Sequence, residues 1–163
     1  MLIYLQILVA FFILIAFHEL GHIVSAKILG LQIQKIGFLL KPYPHLYVAV
    51  GWPKTKLHKY IYLFSGSLVT VFLFIILISN NFFGFTFLYW AFLIQFAIEF
   101  NPFYSDFTIA FVSNNSLNKE AKSYAENYAI QFKKYQFSLK WYAHFILWTL
   151  IIILLIQIKN SIL

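Results

Sequence analysis

The chain is organised by four long apolar runs joined by connections of very unequal length. The runs span about Leu2 to Ile28, Tyr60 to Ser79, Phe82 to Phe100 and Trp141 to Ile158. Each is near the ~20 residues with which a helix crosses ~30 Å of hydrocarbon. The pattern predicts an all-α polytopic membrane protein with about four transmembrane helices. The first run is broken by the polar cluster His18 to His22. It has no Lys or Arg ahead of it and no small-residue cleavage site, so it reads as a retained helix and not a signal peptide. Trp141, Tyr142 and Trp148 sit in or near the start of the last run, as interfacial aromatics do.

The connections add a second element type. Leu31 to Leu40 and Leu46 to Trp52 have strand character around the turn Lys41-Pro42-Tyr43-Pro44, which predicts a short interfacial β-hairpin after the first helix. Asn80-Asn81 is a tight turn. Ser113 to Lys140 is polar, and its Lys119 to Lys134 portion reads as an amphipathic surface helix. No internal repeat is present. The expected organisation is one membrane-embedded domain over 1–163, with a core of about 1–110, a cytoplasmic connection 111–140 and a last transmembrane helix 141–158.

Composition agrees with lipid as the solvent. Of 163 residues, 62% are hydrophobic and 10% charged, against roughly 25% charged in soluble domains. There is no cysteine, which excludes disulfides and thiolate metal ligation. The net charge of +7 comes from twelve lysines against five acids. These lysines flank apolar runs, as at an anionic membrane surface, so nucleic acid is not the expected partner. Lysine bias puts the first and third connections in the cytoplasm, and the Asn80-Asn81 turn and both termini outside. The expected setting is the plasma membrane of a prokaryote.

The polar cluster carries the candidate chemistry. On a helix, His18 and His22 lie about 40° apart around the axis and ~6 Å along it, so both imidazoles can reach one ion at ~2.0–2.1 Å. Glu19 projects to the side, where it can take a proton from an attacking water. Ionisable groups late in an apolar helix are costly, and a metal compensates them. A catalytic zinc wants a third protein ligand and an open position. The acids available are Glu19, Glu99, Asp106, Glu120 and Glu126. The third helix runs in the same direction as the first, so Asp106 arrives at the depth of the histidines, near the cytoplasmic end. Glu99, seven residues earlier, is the rival ligand, although Pro102 bends or ends the helix between them.

His18-Glu19-Leu20-Gly21-His22 and the run Asn101-Pro102-Phe103-Tyr104-Ser105-Asp106 together resemble the two signature motifs of the site-2 protease family of intramembrane zinc metalloproteases, in a minimal form without a PDZ domain. Phe64-Ser65-Gly66-Ser67 looks like the family's glycine-containing segment before its middle core helix. The resemblance covers about residues 10 to 110. It implies one Zn²⁺ per chain held by His18, His22 and Asp106, Glu19 as the base, a supporting polar role for Asn101, and membrane-spanning or membrane-associated peptides as substrates. The sequence departs from the family at Phe107, where glycine is usual, at Ser67, where proline is common, and at Thr70, where asparagine is frequent.

Other residues read more plainly. His45 and His58 belong to the basic connection as solvated side chains, and His144 to packing or the interface. Gly66 suits close helix packing. Tyr47 to Gly51 could pair with an extended substrate by strand addition or merely pack. Two other functions compete with proteolysis. One is a non-catalytic or peptide-binding membrane relative that keeps the zinc. The other is a metal or ion transporter, which the single polar cluster and the lack of an inverted repeat disfavour.

Overall fold

The computed structural model describes residues 2–39, 45–51, 53, 55–80, 84–112 and 124–162. Its elements, in chain order, are α1 (Leu2–Ile28), β1 (Ile33–Leu39), β2 (His45–Val50), α2 (Lys56–Ser79), α3 (Thr86–Glu99), α4 (Asp106–Val112), α5 (Tyr124–Tyr135) and α6 (Leu139–Ile162). The protein is thus mostly helical, with one two-stranded antiparallel sheet after the first helix.

Local chemistry sets these boundaries. α1 stops at Gly30, whose φ of 64° is the left-handed conformation that glycine adopts without penalty. There the Leu31 amide donates to the Ala26 carbonyl at 2.8 Å and the Gly30 amide to the Lys27 carbonyl at 3.2 Å, which is the Schellman pattern. Ile36 pairs with Val48 and Lys35 with Ala49 across the hairpin, with one register shift between Ile33 and Lys35. The expected turn Lys41 to Pro44 lies outside the described residues. α2 starts earlier than its apolar run, because the Thr55 hydroxyl caps it by accepting from the His58 amide at 3.1 Å.

Among the described residues, three helices are long and apolar enough to cross a membrane: Leu2–Ile28, Lys56–Ser79 and Leu139–Lys159. α3 is apolar but has 14 residues, or about 21 Å at 1.5 Å per residue. Hydropathy extends its run back to Phe82, yet helix begins only at Thr86, after Gly84 and Phe85. α3 is well enclosed, with Tyr89, Ala91, Phe92 and Phe96 buried against α1, α2 and α6. The outward faces of α1, α2 and α6 carry exposed Leu5, Val9, Phe72, Ile75, Leu150 and Leu154. Apolar side chains facing outward suit lipid as the surrounding solvent.

The polar connection contains α5, which overlaps the stretch expected to be helical and ends one residue beyond it; residues 113–123, with Lys119, Glu120 and Lys122, lie outside the described residues. One element was not anticipated. The chain breaks after Glu99 and re-enters a helix, α4, at Asp106 itself.

Candidate metal centre

Three elements meet at the polar cluster. α1 presents His18 and His22, α2 backs them, and the break between α3 and α4 delivers an acid to each side of His18. α1 and α2 come close because Gly21 has no side chain. A Cβ there would sit 2.7 Å from the Ser65 carbonyl oxygen. The Ser25 and Ser65 hydroxyls bond across the same seam at 2.8 Å.

Both histidines are buried, at 8% and 4% exposure, and their partners fix their tautomers. His22 Nδ1 lies 2.8 Å from the Tyr62 carbonyl. A carbonyl only accepts, so Nδ1 carries the proton and Nε2 presents a lone pair. His18 Nδ1 donates to Glu99 Oε1 at 2.7 Å, which leaves the His18 Nε2 lone pair free as well. Asp106 Oδ2 stands 3.2 Å from His18 Nε2 and 3.0 Å from His22 Nε2, and the two nitrogens are 3.1 Å apart.

Three acceptor atoms therefore converge on one point. Such a set repels itself unless a cation or shared protons lie between its members. In a tetrahedral zinc site with bonds of about 2.1 Å, neighbouring ligand atoms are roughly 3.4 Å apart. Edges of 3.0–3.2 Å need only a few tenths of an ångström of expansion, so the donor set fits the ion. Among the described residues this is the one group of three such side chains close enough to hold a metal.

Gly66 of α2 walls the site. A Cβ there would lie 2.6 Å from His18 Nε2 and 2.7 Å from His22 Nε2. Its lack of a side chain keeps space at the two Nε2 atoms, a more specific role than helix packing.

Glu99 does not join the triangle. Its Oε1 accepts from His18 Nδ1, from Thr70 Oγ1 at 2.6 Å and from Gln95 Nε2 at 2.7 Å. It thus serves the Nδ1 side of the His18 imidazole, where a carboxylate orients the ring and raises its basicity. Thr70 is one of the groups that hold Glu99.

The turn to Asp106 is built by side chains. Pro102 has no N–H to give the Ile98 carbonyl, and the Asn101 side-chain amide donates there instead. Asn101 Oδ1 accepts from the Phe103 and Tyr104 amides at 2.9 and 2.7 Å. Ser105 caps α4 by accepting from the Thr108 amide at 3.2 Å. Asp106, as the first helical residue, is thereby free of capping duty and faces the histidines. Phe107 packs on Phe64 and Phe100, with ring centroids 4.7 and 4.6 Å away.

Glu19 lines a cavity of about 510 Å³ that also opens on His18, His22 and Asp106 and is walled by Tyr104 and by Leu46 to Ala49 of β2. The Tyr62 hydroxyl donates to the Val48 carbonyl, tying β2 to the helix behind His22. His144 is bonded to the Phe100 carbonyl, and the His58 backbone to the α2 cap. Neither belongs to the metal-binding group; the His45 side chain lies outside the described residues.

Sequence reading had no access to the Tyr62 carbonyl, which is backbone. Gln95 was also missed, although its place one turn before Glu99 in an apolar helix puts two polar groups on one face. No family model, no curated protein and no solved structure matches the chain. What the fold and the cluster define is a bundle with three long apolar helices, carrying a His-His-Asp group.

Proposed function

We propose that this protein is an intramembrane zinc metalloprotease of the site-2 protease kind, hydrolysing peptide bonds of membrane-associated substrates near the cytoplasmic face of a prokaryotic plasma membrane. The observation that carries the reading is the donor triangle. His18 Nε2, His22 Nε2 and Asp106 Oδ2 turn lone pairs to one point, while both Nδ1 protons are committed to acceptors outside it.

In this reading His18, His22 and Asp106 hold one Zn²⁺. The ion, when bound, supplies Lewis acidity toward a water and a peptide carbonyl. Glu19 takes up a proton in the cavity as general base and returns it to the leaving amine. Glu99 keeps His18 in its Nε2-ligating tautomer. The enclosing helices limit the water reaching the site, and β2 offers a wall along which an extended substrate segment can lie. Four crossings, with α3 completing the bundle, set His18 and Asp106 at one depth.

The test is metal content together with cleavage of a model membrane peptide by the purified protein. Wild type should carry about one zinc per chain and cleave. Glu19→Gln should keep the zinc and lose the ~10²–10⁴-fold contribution of a general base. A Glu19→Gln protein that cleaves at the wild-type rate would refute the protease reading and leave a zinc-holding relative or a transporter, which vesicle transport assays separate.

A further inference from the structure

α3 ends beside the metal centre with its carbonyls exposed by the chain break. The last carbonyls of a helix have no partner within it, and inside a bilayer water does not replace them. Here the donors come from side chains. Asn101 serves the Ile98 carbonyl from within the turn. The other two donors come from α6. Trp148 Nε1 donates to the Ala97 carbonyl at 3.0 Å, and His144 Nε2 donates to the Phe100 carbonyl at 3.0 Å.

His144 is itself held in the tautomer this needs. The Phe100 oxygen only accepts, so the proton is on Nε2, and Nδ1 accepts from the Tyr135 hydroxyl at 2.8 Å. Tyr135 is the last residue of α5. A relay from α5 through α6 thus ends on the residue that follows Glu99. Ala97 lies two residues before Glu99 and Phe100 directly after it, and Phe100 opens the turn that places Asp106.

We propose that α6 is a structural member of the metal centre, with His144 and Trp148 as positioning residues that fix the end of α3 and so aim Glu99 at His18 Nδ1 and Asp106 at the two Nε2 atoms. This rests on the metal-centre reading and extends it beyond the motif-bearing part of the chain. The donors act through backbone carbonyls and touch neither metal nor substrate. Their loss should be felt as slackened ligand geometry, not as a lost ligand.

The experiment is zinc affinity of the full chain in detergent, by competition with a chromophoric chelator, for wild type, His144→Phe, His144→Gln, Tyr135→Phe and Trp148→Phe. Outer partners of metal ligands are worth 10–100-fold in affinity. His144→Phe and Trp148→Phe should each weaken zinc roughly tenfold at unchanged helical content. His144→Gln, which keeps an N–H donor of similar reach, should recover most of it. Tyr135→Phe keeps its ring and Trp148→Phe keeps an aromatic one, and each deletes one hydrogen bond, so they carry the test even if His144→Phe fails to fold. Unchanged affinity in Trp148→Phe and His144→Phe, or equal loss in His144→Gln and His144→Phe, overturns the positioning role. A wild type that binds no zinc overturns the metal centre itself.

Discussion

Glu99 and Asp106 meet opposite nitrogens of the same imidazole, and that difference sets what each can do. Asp106 Oδ2 is within 3.2 Å of both Nε2 atoms, whereas Glu99 Oε1 reaches only His18 Nδ1. Removing a ligand and removing its orienting partner should therefore give separable results. Asp106→Asn should abolish tight zinc binding. Glu99→Gln should keep one zinc per chain with affinity lowered on the order of tenfold. Metal titration checks both, and full zinc in Asp106→Asn with none in Glu99→Gln would reverse the two roles. Gly66 is tested by adding one carbon. Its Cβ would lie within 2.7 Å of His18 Nε2 and His22 Nε2, so Gly66→Ala should lose zinc while helical content holds. Retention of wild-type zinc affinity would show that the site relaxes around a methyl. That His18 and His22 share a face was legible from spacing alone, because a helix turns i and i+4 to one side. The Glu99 role was not, since only three-dimensional placement tells which nitrogen a carboxylate meets.

At the scale of elements, the part of the site hardest to read was the break from α3 to α4. Hydropathy treats residues 82–100 as one run and gives no sign that helix resumes at Asp106. The signs were local and polar: Pro102 without a donor, Asn101 before it, and Ser105 in capping position. Together they convert the end of an apolar helix into a turn whose next residue is an acid. Ser105 gives the Thr108 amide its acceptor at 3.2 Å, and such caps are worth about 1 kcal/mol. Ser105→Ala should lower stability by about that amount and weaken zinc without removing it, measured as thermal unfolding with and without chelator. Equal melting temperatures for Ser105→Ala and wild type would show that the cap does not hold α4. The hairpin, by contrast, was visible in advance, since two strand-like segments lie on either side of the turn signal Lys41-Pro42-Tyr43-Pro44. That β2 lines the cavity beside the His-His-Asp group was not visible, because the link runs through the Tyr62 hydroxyl to a backbone carbonyl.

For the whole molecule, hydropathy was the most informative feature, and its limit is the count of crossings. Three helices have the length and composition to span, while α3 at 14 residues falls short by itself. Both arrangements bury α3 against α1, α2 and α6, so packing does not choose between them, but topology does. By lysine bias the hairpin is expected inside and Asn80 outside. If α3 completes a fourth crossing, the α5–α6 turn near Gln136 is cytoplasmic and the C-terminus is outside. With α1, α2 and α6 alone crossing, both assignments invert. The chain has no cysteine, so single substitutions report cleanly. Asn80→Cys should react with a membrane-impermeant thiol reagent in intact cells. Gln34→Cys and Gln136→Cys should react only after permeabilisation. Labelling of Gln136→Cys in intact cells would overturn the four-crossing arrangement. It would also remove the shared depth of His18 and Asp106 as a consequence of topology, leaving their proximity to the short turn that Asn101, Pro102 and Ser105 build.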